Sequence, residues 1–103
     1  MLGTKFHVEA KQDFQESLNW YREQSLEAAI RFAKAVEDAV NRIASDPERF
    51  PSYDARCRTC SLSRFPFEII YLVNENVILV MAVSHCKRQP NYWRDRRPEE
   101  PTE

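Results

Sequence analysis

Glycine is almost missing: Gly3 is the only one in 103 residues. Phosphate-cradling loops need clustered glycines so that backbone N–H groups can approach the anion, so P-loop and dinucleotide-binding folds are not expected. Cysteine is scarce and odd in number, with Cys57, Cys60 and Cys86 alone. In a chain of ordinary core content that sets no disulfide framework, and free thiols are expected. Long apolar runs are missing too, since the longest, Val77 to Val83, falls far short of the roughly 18 residues of a membrane span. Met1 to Lys5 leads directly into patterned sequence with no apolar leader, so the expected location is the cytoplasm, away from membranes. A global charge bias is also absent. Fifteen Lys and Arg face sixteen Asp and Glu for a net charge of -1, and nothing in that total marks a nucleic-acid binder.

What is present is 43% hydrophobic and 30% charged residues, the proportions of one folded globular domain. The charge is unevenly spread. Residues 49–64 carry four cations to one carboxylate and residues 85–97 five to one, whereas 1–48, 65–84 and 98–103 are each net negative. Two basic segments are thus hidden in a neutral average, and they form an anion site if the fold brings them together. The expected organisation is a single domain over 1–97 followed by a flexible acidic tail over 98–103.

Alternation from Lys5 to Glu9, with Phe6 and Val8 on one side, predicts a short strand. From Ala10 the period lengthens: Phe14, Leu18 and Tyr21 mark a first helix, with Lys11, Asp13, Glu16 and Arg22 assigned to its wet side. Ser25 can cap a second helix whose stripe runs Ala29, Phe32, Ala33, Val36, Ala39, Val40, Ile43, ending near Ser45 because Asp46 precedes Pro47. Three strands follow, over Arg56–Leu62, Phe67–Val73 and Val77–Ser84, with Asn74-Glu75-Asn76 as a hairpin turn. The order β-α-α-β-β-β predicts an α+β domain with an antiparallel sheet and a two-helix layer on one face. Phe67, Ile69, Tyr71 and Val73 point one way and Ile70 and Leu72 the other. Two helices cover one face only, so the second face needs either the C-terminal segment or another polypeptide.

Chemistry is offered by Arg56, Arg58 and Arg64 together with His85, Lys87 and Arg88. If sheet order follows the chain, His85 at the end of the last strand lies near Arg64 at the start of the one before. Arginine forks bind phosphate and histidine exchanges a proton near neutral pH, so the set could cleave a phosphodiester without a metal, or else form a solvated basic rim. Tyr92 and Trp93 are either stacking platforms for unpaired bases or a hydrophobic clamp holding the tail on the sheet. Cys57 and Cys60, three apart on a strand, should face opposite sides, and no second pair completes a zinc set. No metal and no cofactor is called for. His7, alone opposite Phe6, is given no role.

The segments Asp46-Pro47 to Phe50-Pro51, Arg64-Phe65-Pro66-Phe67 with Ile70-Tyr71, and Ala82-Val83 with His85, Arg88, Pro90, Tyr92, Trp93 and Arg96 resemble the toxin half of RelE/ParE-type type II toxin-antitoxin modules. The resemblance runs from the first strand through Arg96. It implies a compact β-α-α-β-β-β toxin silenced by a cognate antitoxin protein that lays a helix or strand on it. RelE-like members cut messenger RNA on the ribosome without a metal, whereas ParE-like members bind DNA gyrase and are not nucleases. Arg64 and His85 match catalytic positions of the RNA-cutting branch, so the first expectation is ribosome-dependent mRNA cleavage. In that reading Arg56, Arg58, Lys87, Arg88, Tyr92, Trp93 and Arg96 contact RNA or phosphate. The R-F-P and H-x-x-R elements occur in ParE-like sequences as well, and gyrase binding is the alternative.

Overall fold

The structure, a computed structural model, describes residues 2–98, so the expected acidic tail lies outside the described residues except for Pro98. Strand β1 covers Gly3–Phe6 and helix α1 covers Val8–Gln24, so the chain turns helical earlier than the alternation of Phe6 and Val8 implies. His7 causes the switch. Its Nδ1 accepts the Glu9 backbone N–H at 3.1 Å, satisfying one of the free donors in the first turn. Ser25 then closes one helix and opens the next: its backbone N–H reaches the Tyr21 carbonyl at 2.9 Å and its Oγ accepts the Ala28 N–H at 2.9 Å. Helix α2, Leu26–Ser45, buries Ala29, Phe32, Val36, Ala39 and Ile43 on one stripe and stops before Asp46-Pro47, as expected.

Strand β2 is Arg58–Ser61, shorter than the Arg56–Leu62 expectation. Asp54 accounts for its late start, because Asp54 Oδ1 accepts the backbone N–H groups of Arg56 at 2.8 Å and Cys57 at 2.7 Å, a turn that competes with the ladder. Strands β3 (Phe67–Asn74) and β4 (Val77–His85) form the expected hairpin. Glu75 and Asn76 have φ of 52° and 68°, the left-handed pair of a two-residue type I′ turn.

The sheet order is β1-β4-β3-β2, with β1 parallel to β4 and the other pairs antiparallel, so the expected, largely antiparallel sheet carries one parallel pair at its edge. Only a long crossover through both helices links β1 to the rest of the sheet, and such a connection permits the parallel pairing that a tight hairpin forbids. Opposite Ile70 stands Ala82 and opposite Tyr71 stands Val80, which leaves Met81 as the extra residue of a β-bulge.

Phe67, Ile69 and Tyr71 join Phe32, Val36, Ile43, Ile78 and Val80 in the core between helices and sheet. Ile70, Leu72, Leu79, Met81 and Ala82 face the other way. Of the two covers the sequence leaves open for this face, the structure shows the chain's own C-terminal segment. Trp93, 1% exposed, lies on it, and Tyr53 and Tyr92 pack against the same cluster. Among the described residues no helix is long and apolar enough to cross a bilayer.

Candidate functional site

At one end of the sheet the chain turns from β2 into β3 and leaves β4, so Phe67 is the register partner of His85 and the Cys86 N–H reaches the Pro66 carbonyl at 2.8 Å. His85 is held from two sides. Its ring meets Phe67 edge-on at 4.9 Å, and its Nδ1 accepts the Lys87 backbone N–H at 3.0 Å. With Nδ1 occupied as an acceptor, the neutral ring carries its proton on Nε2. His85 lines a groove of about 540 Å³ with Glu16, Ser17, Trp20, Tyr21, Pro66 and Phe67.

Arg64 shares that end of the sheet but not that groove. Its backbone is left-handed, with φ of 70°, a conformation uncommon for a residue with a side chain, and it lines a separate groove of about 980 Å³ against α2. Arg31, Lys34, Arg42 and Asp38 line the same groove. An edge contact of 5.3 Å between Tyr21, a wall of the His85 groove, and Phe65, a wall of the Arg64 groove, stands between the two.

The remaining basic candidates divide. Arg58 is half-buried and donates to the Phe50 carbonyl at 2.6 Å, so its fork is used inside the fold. Arg56 has left the strand it was expected to share with Arg58 and is exposed, as are Lys87 and Arg88. The Arg88 guanidinium lies 3.9 Å over the Tyr92 ring. Trp93 is sealed against the sheet and Tyr92 is half-buried beneath Arg88, so the pair forms the clamp and offers no free stacking platform. Cys57 and Cys60 sit in opposite clusters, as their spacing required, and burial, the largest influence on each, pushes both thiols above the ordinary value. Among the described residues no group of three or more His, Cys, Asp or Glu gathers in a metal-holding arrangement.

Sequence reasoning missed the centre of the C-terminal clamp. The last β1-side bond of β4 runs from the His7 N–H to the Val80 carbonyl at 2.9 Å, and past it that edge has no strand partner. Asp13, assigned from sequence to the wet side of its helix, is 5% exposed and takes over. Its Oδ2 accepts the Val83 N–H at 3.1 Å and the Tyr92 hydroxyl at 3.0 Å. Both its oxygens hold Arg96 in a two-point fork, at 2.7 and 3.0 Å, and Arg96 also donates to the Met81 carbonyl at 2.9 Å. Arg96 is therefore an internal brace, not a free phosphate ligand. Burial alone would lower its pKa, but the Asp13 hydrogen bond and charge outweigh that and raise it. The available signal was position: Asp13 is three residues beyond Ala10 and beside Phe14, on the helix face that turns inward.

Tyr92 is pushed up to about 12 from an ordinary 10.0, first by burial and then by the adjacent Asp13 charge. Tyr71, buried with its hydroxyl on the Pro47 carbonyl, is also pushed up to about 12, mainly by burial. The folded state holds these protons more tightly than the unfolded chain does. The contribution is fully present below pH 10, where unfolded tyrosine is neutral, and is lost as pH rises from about 10 through about 12. Urea unfolding followed across that window should show a falling midpoint, and Tyr92→Phe, which removes one of the ionisations that cause it, should flatten the fall. An unchanged slope in the variant would show that Tyr92 does not titrate late.

A mixed four-stranded sheet with a helical hairpin on one face, in the order β-α-α-β-β-β, is the architecture of RelE/ParE-type toxins. The family model described as the ParE toxin of the type II toxin-antitoxin system parDE matches residues 4–90, and the chain belongs to that family. Its fold is similar to a solved structure of the chromosomal ParDE toxin-antitoxin system from P. aeruginosa, with a TM-score of 0.63 and 22% identity over 84% of this chain and 98% of that one. No curated protein shows significant sequence similarity to the chain.

Proposed function

We propose that this toxin arrests growth as a protein ligand of DNA gyrase, without nuclease activity, and is kept silent by a cognate antitoxin protein. The observation that carries the reading is the ParE family match over residues 4–90. The site geometry supports it. A phosphodiester-cleaving centre needs its acid or base and its charge-stabilising groups around one phosphorus. Here His85 and Arg64 line separate grooves, Arg58 and Arg96 are engaged by the protein itself, and Tyr92 and Trp93 are packed away.

The second reading, metal-independent cleavage of ribosome-bound mRNA by His85 and Arg64, draws on the place of half-buried His85 in the wall of a groove. One comparison separates them. Incubating the purified toxin with gyrase and supercoiled plasmid should accumulate cleaved DNA complexes, and His85→Ala should do so equally. Codon-linked cuts on translated messages, reduced about 10²-fold or more by His85→Ala, would overturn the gyrase reading in favour of cleavage.

A further inference from the structure

We infer that the layer formed by residues 85–97 and the 52–58 loop is a contact surface for the phosphate backbone of duplex DNA, so that the toxin engages gyrase together with its DNA. The gyrase setting rests on the function proposed above, but the DNA contact does not. The layer is continuous: Arg88 stacks on Tyr92, Trp93 meets Tyr53 edge-on at 5.3 Å, and Arg94 reaches Asp54 at 3.6 Å. Asp54 in turn binds the Arg56 N–H. Two basic segments distant in the sequence thereby become one surface.

Its charge is one-sided. Arg56, Lys87, Arg88, Arg94 and Arg97 are exposed, whereas the layer's only carboxylates are Asp54 and Asp95. Asp54 keeps its negative charge, held below the usual carboxylate range first by the N–H groups of Cys57 and Arg56, and it offsets part of the Arg94 charge, yet five exposed cations against two carboxylates leave the layer net positive. Arg96 adds nothing outward, since Asp13 neutralises it. On the opposite layer α1 has, apart from the paired Asp13, three carboxylates to two cations, and α2 has three of each. The molecule is thus polar across the sheet, with its positive side on the C-terminal layer.

The aromatics decide which polyanion fits. Single strands are bound by stacking bases on exposed rings beside a basic groove. Trp93 is 1% exposed and the Tyr92 ring is capped by Arg88, so this layer offers cations without platforms. That combination suits a duplex, whose backbone presents a phosphate charge about every 1.7 Å and requires only positive contacts.

Fluorescence anisotropy of a labelled duplex of roughly 20 base pairs, titrated with the purified toxin from low to physiological salt, tests this. The triple variant Arg88→Ala, Arg94→Ala, Arg97→Ala should bind on the order of 10²-fold more weakly at low salt, with a salt slope shallower by about 2.7, or about 0.9 for each lost phosphate contact. Its circular dichroism should match the parent, since all three side chains are exposed. Equal affinity and slope would overturn the inference, and so would tighter binding of a single-stranded RNA of the same length. With gyrase present, the triple variant should trap fewer cleaved complexes than the parent, and equal trapping would also overturn it. A parent toxin that traps none sinks the gyrase reading, while the anisotropy comparison still decides the DNA contact.

Discussion

Replacing Asp13 with alanine should cost about 3–5 kcal/mol of folding stability, the penalty for leaving a buried charge without its partner. The substitution strands the Arg96 guanidinium, 9% exposed, with only the Met81 carbonyl and a long 3.5 Å contact to Glu9. It also leaves the Val83 N–H without an acceptor on the open edge of β4. In a domain of about 100 residues a loss of this size lowers the melting temperature by more than 10 °C, on the scale of about 4–8 °C per kcal/mol. The paired variant Asp13→Leu, Arg96→Met should recover much of the loss, because an apolar pair of similar bulk leaves no unpaired charge. Urea denaturation of the two single variants and the pair gives the coupling directly. If Asp13→Ala costs less than about 1 kcal/mol, the pair behaves as a surface salt bridge and the brace does not hold the edge.

That brace marks where sequence reasoning ends. The helices were legible because their information is local: an apolar stripe at the helical period, Ser25 with its Oγ on the Ala28 N–H, and Asp46-Pro47 as a stop. The last hairpin was legible for the same reason, through Asn74-Glu75-Asn76 and the alternation of Phe67 to Val73. Asp13 was not, since its partners Val83 and Arg96 lie 70 and 83 residues away, and its place beside Ala10 and Phe14 marks the inward face without showing what would pair its charge there. The start of α1 failed differently. Phe6 and Val8 fit a strand, yet the His7 imidazole caps a helix there, and Val8 is left 44% exposed.

The candidate site was half legible. Antiparallel pairing did bring the end of β4 beside the start of β3, which places Arg64 and His85 at one end of the sheet. Which groove each lines depends on the left-handed backbone of Arg64 and on Tyr21 packing against Phe65, and neither shows in a spacing pattern. The basic segments do meet, but through the layer over the second face and not in a pocket around His85. Of the five cations expected to bind phosphate, Arg56, Lys87 and Arg88 are exposed on that layer, while Arg58 and Arg96 belong to the framework.

Trp93→Ala should be comparably damaging, at about 3–5 kcal/mol, because it removes a large buried ring that Ile70, Leu72, Leu79, Met81 and Ala82 cannot close over. Its second consequence separates the two covers that the apolar face allowed before the fold was known. With its own indole gone, the face is exposed, and the variant should bind a hydrophobic dye and self-associate on concentration, as uncovered apolar patches do. Trp93→Phe should keep most of the stability. The chain has two tryptophans and Trp20 is 57% exposed, so a Trp20→Phe background makes Trp93 the sole indole reporter. Its emission should be blue-shifted in the native toxin and move to longer wavelength together with the loss of secondary structure in urea. Solvent-like emission from the native protein, or a Trp93→Ala cost below about 1 kcal/mol, would mean that the tail does not cover the sheet and that this face is open to a partner after all.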